Sequence, residues 1–230
     1  MDNITKFDAI DYTNTFSKRI SVMYELVENI LSEYIGNGDS ILDIGGGPGI
    51  SAKMIEKLGT KVKVINIEPS TTIYDVPQLS IVEYTPLKMS LKEALDVSMP
   101  YIVDYVLMVS SAHEIALCNN GTPEENKKIF FNDLVIFIKK NLKKNGILII
   151  GFPNYREGAS TEKIEEQRRL TETLLGHSHP PEELFKVNEF SAIFGTAPDL
   201  FIQKPMDLTQ ENIKDTILMA NVAVFKIKNF

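Results

Sequence analysis

Apolar residues recur along the chain in two rhythms, one helical and one strand-like. From Phe16 to Ile35 they keep helical spacing, with Ile20, Met23, Val27, Ile30, Leu31 and Tyr34 along one stripe that Gly36-Asn37-Gly38 brings to a stop. Ser40–Ile44 reads as a short strand, followed by a glycine-rich turn and a helix from about Ile50 to Leu58. Lys61–Ile67, Ile81–Tyr84 and Asp104–Val109 are expected as the second, third and fourth strands. The fourth is almost continuously apolar, as befits a strand covered on both faces. Glu124–Leu142 has helical spacing and is expected to end in a cap at Lys143-Lys144-Asn145-Gly146. Ile147–Phe152 reads as a fifth buried strand and Thr161–Leu175 as a helix broken by Gly176-His177-Ser178-His179-Pro180-Pro181. Leu200–Gln203 and Ala220–Lys228 are the last strand candidates.

Strands alternating with helices predict the α/β class, a parallel sheet with helices on both faces. There is no internal repeat and no low-complexity tract. At 230 residues, 43% apolar and 24% charged, the chain has the length of one domain and the means to bury a sizeable core.

A net charge of −7 argues against a broad nucleic-acid surface. The basic pairs Lys139–Lys140 and Lys143–Lys144 read as a solvated face at one helix end. The single cysteine, Cys118, excludes an internal disulfide and a Cys-rich zinc module, and fits a cytoplasmic location. No apolar run approaches a membrane span, and Met1–Ile10, carrying Asp2 and Asp8, lacks the layout of a signal peptide.

The first strand candidate runs into Asp43-Ile44-Gly45-Gly46-Gly47-Pro48-Gly49, a D-x-G-x-G-x-G turn. Glycines allow a tight turn and a close ligand approach, and the helix that follows offers unpaired N–H groups. Glu68 lies 19 residues after Gly49, at the carboxyl end of the second strand, where a carboxylate can accept hydrogen bonds from both ribose hydroxyls. A dinucleotide fingerprint also fits Gly47 to Ala52. Two features weigh against it: Asp43 favours a cationic amine and repels a pyrophosphate, and Pro48 has no N–H to give a phosphate.

The chain resembles the class I S-adenosylmethionine (SAM) dependent methyltransferases in ILDIGGGPG at 41–49, VINIEPS at 64–70, DYVLMVSSAHEI at 104–115 and LKKNGILIIGF at 142–152. With VAVFKIK as a terminal strand, the resemblance covers most of 38–230 and is nearest the small-molecule branch that includes quinone-biosynthesis methyltransferases. It implies a Rossmann-like, doubly wound, seven-stranded sheet, mostly parallel with a C-terminal antiparallel strand. A single domain is expected, with a helical cap at 1–38, a cofactor core at 39–152, a substrate-side insertion at 153–190 and terminal strands at 191–230. Within the cap, Phe7 and Tyr12 are expected to close over the cofactor, and Phe16 to pack in the core.

The resemblance also assigns roles. Asp43 and Gly45 fall near the methionine amino group of SAM, Gly46, Gly47 and Gly49 shape the loop, Glu68 holds the ribose, Pro69 lies near the adenine and Ser110 lies under the sulfonium. The region after the third strand, IVEYTPL, lacks the family's usual acid for the adenine, leaving Glu83 or Tyr84 as candidates.

His113 follows the fourth strand and is the candidate general base for an O or N nucleophile of a small-molecule acceptor, with capping or packing as the plainer role. Asn154, Tyr155 and Arg156 follow the fifth strand, either as contacts to an acidic substrate group or as solvated loop. His177 and His179 read as loop surface or part of a lid; H-x-H alone is a poor metal signature without a third, suitably placed ligand, so no metal is expected. Peptide methylation, a SAM-bound reaction other than methyl transfer and a noncatalytic scaffold are the alternatives.

Overall fold

The strands of a computed structural model form one seven-stranded sheet, in the order β3-β2-β1-β4-β5-β7-β6. It describes residues 21–71, 78–97, 99–175, 178–206 and 216–228. Phe7, Tyr12, Phe16, Ile20 and His177 lie outside the described residues. The strands are β1 (Ser40–Ile44), β2 (Lys63–Ile67), β3 (Glu83–Leu87), β4 (Val103–Val109), β5 (Leu142–Tyr155), β6 (Leu200–Pro205) and β7 (Leu218–Lys226). Among the described residues the helices are α1 (Ser21–Tyr34), α2 (Ile50–Leu58), α3 (Leu91–Asp96), α4 (Ala112–Leu117), α5 (Pro123–Asn141), α6 (Thr161–Leu175) and α7 (Val187–Phe194).

Side-chain alternation explains why the strands look continuously apolar. Ile41, Tyr105, Leu107, Val109, Ile149, Val222 and Val224 join one core with α1 and α2. Leu42, Val106, Met108, Leu148, Ile150, Ala223 and Phe225 join the other, under α3, α4, α5 and α7. The inner strands β1, β4, β5 and β7 therefore bury both of their faces, while the edge strands β3 and β6 do not. Gly151 lets α1 lie close to the sheet, because a Cβ there would meet Met23 Sδ at 2.8 Å.

β1 pairs in parallel with β2 on one side and β4 on the other. The chain winds outward through β2 and β3, then returns to β4, so the order reverses at β1. In such a sheet the crevice outside the strands' carboxyl ends at this reversal receives ligands. β7 runs antiparallel to both its neighbours, β5 and β6.

Among the boundaries that differ from expectation, three change how elements connect or pair. The third strand is displaced to Glu83–Leu87, because pairing with β2 begins at Glu83 opposite Lys63, while the Val82 N–H is taken by the Glu56 carboxylate at 2.8 Å. α5 ends at Asn141 and has no glycine cap: Leu142 is already extended, and the chain passes directly into β5. Lys143 and Lys144 thus belong to a strand, where Lys143 Nζ meets Asp104 Oδ1 at 2.7 Å. β5 also continues to Tyr155, beyond the apolar run, because β7 pairs with it as far as Leu218.

Candidate active site

The turn after β1 is built by positive φ angles at Gly45, Gly47 and Gly49 (71°, 51° and 68°), a region where a Cβ strains the backbone. Space matters as much. A Cβ on Gly45 would stand 2.5 Å from Ser111 Cβ, and one on Gly46 would strike the Asp43 carboxylate and stand 2.6 Å from Asn66 Oδ1. Gly45 and Ser111 thus bring the loops after β1 and β4 into contact at the reversal point, and Ser111 Oγ locks them by donating to the Ile44 carbonyl at 2.7 Å.

Beneath the turn, Asp43 is 2% exposed and accepts a hydrogen bond from Ser51 Oγ in α2. Burial pushes its carboxyl up to about 7; Ser51 opposes the rise and the charge of Glu68 adds to it. Glu68 reaches back from the end of β2. Its Oε2 accepts from the Gly47 N–H at 3.0 Å and its Oε1 from the Ser70 N–H at 2.9 Å. Each oxygen keeps a lone pair beyond the hydrogen bond with which it braces the turn.

Ser110 sits between β4 and α4 at φ 57°, an unusual angle for a residue other than glycine. Its N–H donates to the Gly151 carbonyl at 2.7 Å, which ties it to the carboxyl end of β5. Asp43, Gly45, Gly46, Gly47, Gly49, Glu68, Pro69 and Ser110 thus belong to three adjoining strand ends.

Asn66 had no place in the expected site. It is fully buried; its Oδ1 accepts from the Gly46 N–H at 3.2 Å, and its Nδ2 donates to the Gly47 carbonyl and to Tyr84 Oη. The available signal was an amide in the otherwise apolar run VINI. Tyr84 is thereby committed to Asn66, its phenol pushed up to about 12 by burial, against the Asn66 hydrogen bond and with the charges of Asp43 and Glu68. Glu83 does not belong to the site: it stands at the amino end of β3 and pairs with Lys63 at 3.1 Å.

A second cluster lies beyond β4. His113, 3% exposed, places Nε2 3.5 Å from Glu114 Oε1, and its Nδ1 is buried without a hydrogen-bond partner among the described residues. His179 arrives from the segment after α6, with Nε2 3.2 Å from the same Glu114 oxygen and Nδ1 3.1 Å from Glu183 Oε2. Burial works against the Glu114 charge, but the hydrogen bonds and charges of His113 and His179 outweigh it and hold the carboxyl well below its usual range. For His179, burial likewise opposes protonation, and Glu114 and then Glu183 prevail and raise it.

Asn154 and Tyr155 point to this segment and bind its backbone. Asn154 Nδ2 donates to the Phe185 carbonyl at 2.8 Å and Tyr155 Oη to the His179 carbonyl at 3.0 Å.

No family model matches the chain, and no curated protein does. Solved structures do match. A SAM-dependent methyltransferase from Geobacter sulfurreducens in complex with S-adenosyl-L-homocysteine is similar at a TM-score of 0.60 and 13% identity, over 97% of this chain and 98% of that one. YjhP from E. coli is similar at 0.60 and 14%, over 95% and 98%. The cyclopropane synthase MmaA2 from Mycobacterium tuberculosis is similar at 0.55 and 12%, over 97% and 93%. At such identities the likeness establishes the fold.

Proposed function

We propose that this chain, which has the fold of the class I SAM-dependent methyltransferases, transfers a methyl group from SAM to an oxygen or nitrogen of a small-molecule acceptor. The observation that carries this reading is the pair of carboxylates framing one glycine turn, Asp43 buried beneath it and Glu68 bracing its far side. Bound SAM supplies a methyl already activated by its positive sulfur.

Asp43 fits the α-amino group, because a cation relieves the cost of an ionised buried acid. Glu68 fits the two ribose hydroxyls with the lone pairs that Gly47 and Ser70 leave open. Ser110 and Ser111 form the floor between β1 and β4. The protein's main contribution is alignment, which in favourable intramolecular models is worth about 7–11 kcal/mol. His113 is the proton acceptor for an acceptor group that must lose a proton.

Calorimetry is expected to show S-adenosylhomocysteine binding at micromolar Kd, about −8 kcal/mol. Two charge-assisted hydrogen bonds, each worth roughly 1.5–3 kcal/mol, predict that Glu68→Ala raises Kd by about 10²-fold or more. Incubation with methyl-labelled SAM and a panel of phenols, carboxylic acids and amines then identifies the acceptor. A folded sample that ignores S-adenosylhomocysteine and binds NAD would overturn the proposal.

A further inference from the structure

We infer that His113, Glu114 and His179 form a binding site for a divalent transition-metal ion of the Zn²⁺ or Co²⁺ type. One suitable atom from each lies within 4.8 Å of the others. Metal–ligand bonds of about 2.0–2.2 Å in tetrahedral geometry put ligand atoms ~3.3–3.5 Å apart. Two of the three edges are within about 0.1 Å of this range, at 3.5 Å from His113 Nε2 to Glu114 Oε1 and 3.2 Å from His179 Nε2 to the same oxygen. Closing the third requires at most roughly 1.5 Å of side-chain movement.

The donors suit a borderline ion: two imidazole nitrogens and one carboxylate, with a fourth position left open. Two imidazoles converge on a single carboxylate oxygen. His113 is 3% exposed, and its Nδ1 has no hydrogen-bond partner among the described residues.

Independent support comes from behind His179. Its Nδ1 stands 3.1 Å from Glu183 Oε2, the carboxylate–histidine pairing that orients the ring with Nε2 toward Glu114. The segment carrying both residues is held in place. Tyr155 binds the His179 carbonyl, Asn154 binds the Phe185 carbonyl, and Lys127 Nζ binds the Leu184 carbonyl at 2.6 Å. Supported ligands of this kind lose little order on binding.

The site goes beyond methyl transfer and does not depend on it. With the ion bound, the His113 lone pair is taken, and His113 serves as a ligand and no longer as a proton acceptor.

The test uses the full chain, stripped with a chelator and titrated with Co²⁺ and then Zn²⁺. The expected result is one ion per chain, with the visible absorption of four-coordinate Co²⁺ that Zn²⁺ displaces. His179→Ala should abolish that spectrum, and Glu183→Gln should weaken Co²⁺ binding by about 10–100-fold. Cys118→Ser should change neither, because the thiol lies outside the donor set. Circular dichroism and S-adenosylhomocysteine titration of each variant establish that the fold and the neighbouring crevice survive. Absence of stoichiometric binding, or affinity unchanged by His179→Ala in a folded variant, overturns the inference; so does a spectrum that depends on Cys118. The site can fail while S-adenosylhomocysteine still binds, so its failure is distinguishable from that of the proposed function.

Discussion

At the scale of single residues, Asp43 couples folding and binding to pH in opposite senses. Its carboxyl titrates at about 7 in the fold, above its ordinary value of 3.8, chiefly because it is buried. The folded chain therefore holds more protons than the unfolded chain between those values, and stability falls as pH rises through that window. Asp43→Asn keeps an acceptor for Ser51 and removes the titration. Urea unfolding at about pH 5 and about pH 8 is expected to show the variant gaining on the parent at the higher pH, by an amount on the order of 1–4 kcal/mol. A difference that does not change with pH would mean that the carboxyl ionises normally. Affinity for S-adenosylhomocysteine should move the other way and strengthen as pH rises to about 7, because an ammonium group pairs with the ionised acid.

At the scale of elements, local chemistry sets where helices begin more firmly than where they end. Thr122 opens α5 with a capping box: its Oγ1 accepts from the Glu125 N–H, and Glu125 Oε2 accepts from the Thr122 N–H at 2.9 Å. Pro123 then occupies the first turn, where its missing N–H costs nothing. Thr122→Ala is expected to cost about 1 kcal/mol in denaturant unfolding, with the m-value unchanged. The other end of α5 obeys the sheet. Glycine at 146 looks like a helix stop, but Val103 pairs with Leu142 and draws the chain into β5 four residues earlier. The same force moves β3, whose register on β2 begins at Lys63↔Glu83.

At the scale of the whole molecule, the connection from β5 to β6 is pinned by aromatic packing. Phe185 is fully buried, with ring centroids 5.1 Å from Phe130, 5.2 Å from Phe131 and 5.3 Å from Phe190. Its removal should cost about 3–5 kcal/mol, read from the urea midpoint. Because Phe185 also anchors the segment that carries His179 and Glu183, Phe185→Ala should weaken Co²⁺ binding far more than S-adenosylhomocysteine binding. Equal losses of both would place the anchor under the crevice instead. Among the described residues, no helix is long and apolar enough to cross a membrane.

The sequence by itself determined the α/β class, the spans of β1, α2 and α6, and the glycine turn with its two acids. These are local matters: apolar periodicity, φ angles open to glycine, and a carboxylate at a strand end all act within a few residues. Tertiary structure decided the rest. Asn66, Ser51 and Ser111 became parts of the turn only when β1, β2, β4 and α2 came together, since a hydrogen bond across strands leaves no spacing in the chain. Asn154 and Tyr155 read equally well as substrate contacts or loop until Phe185 and His179 were beside them. Nothing in the sequence around His179 points to residues 113 and 114. His179 meets His113 and Glu114 because the helix after β4 and the loop after α6 share one edge of the sheet, more than sixty residues apart along the chain and about 3 Å apart in space.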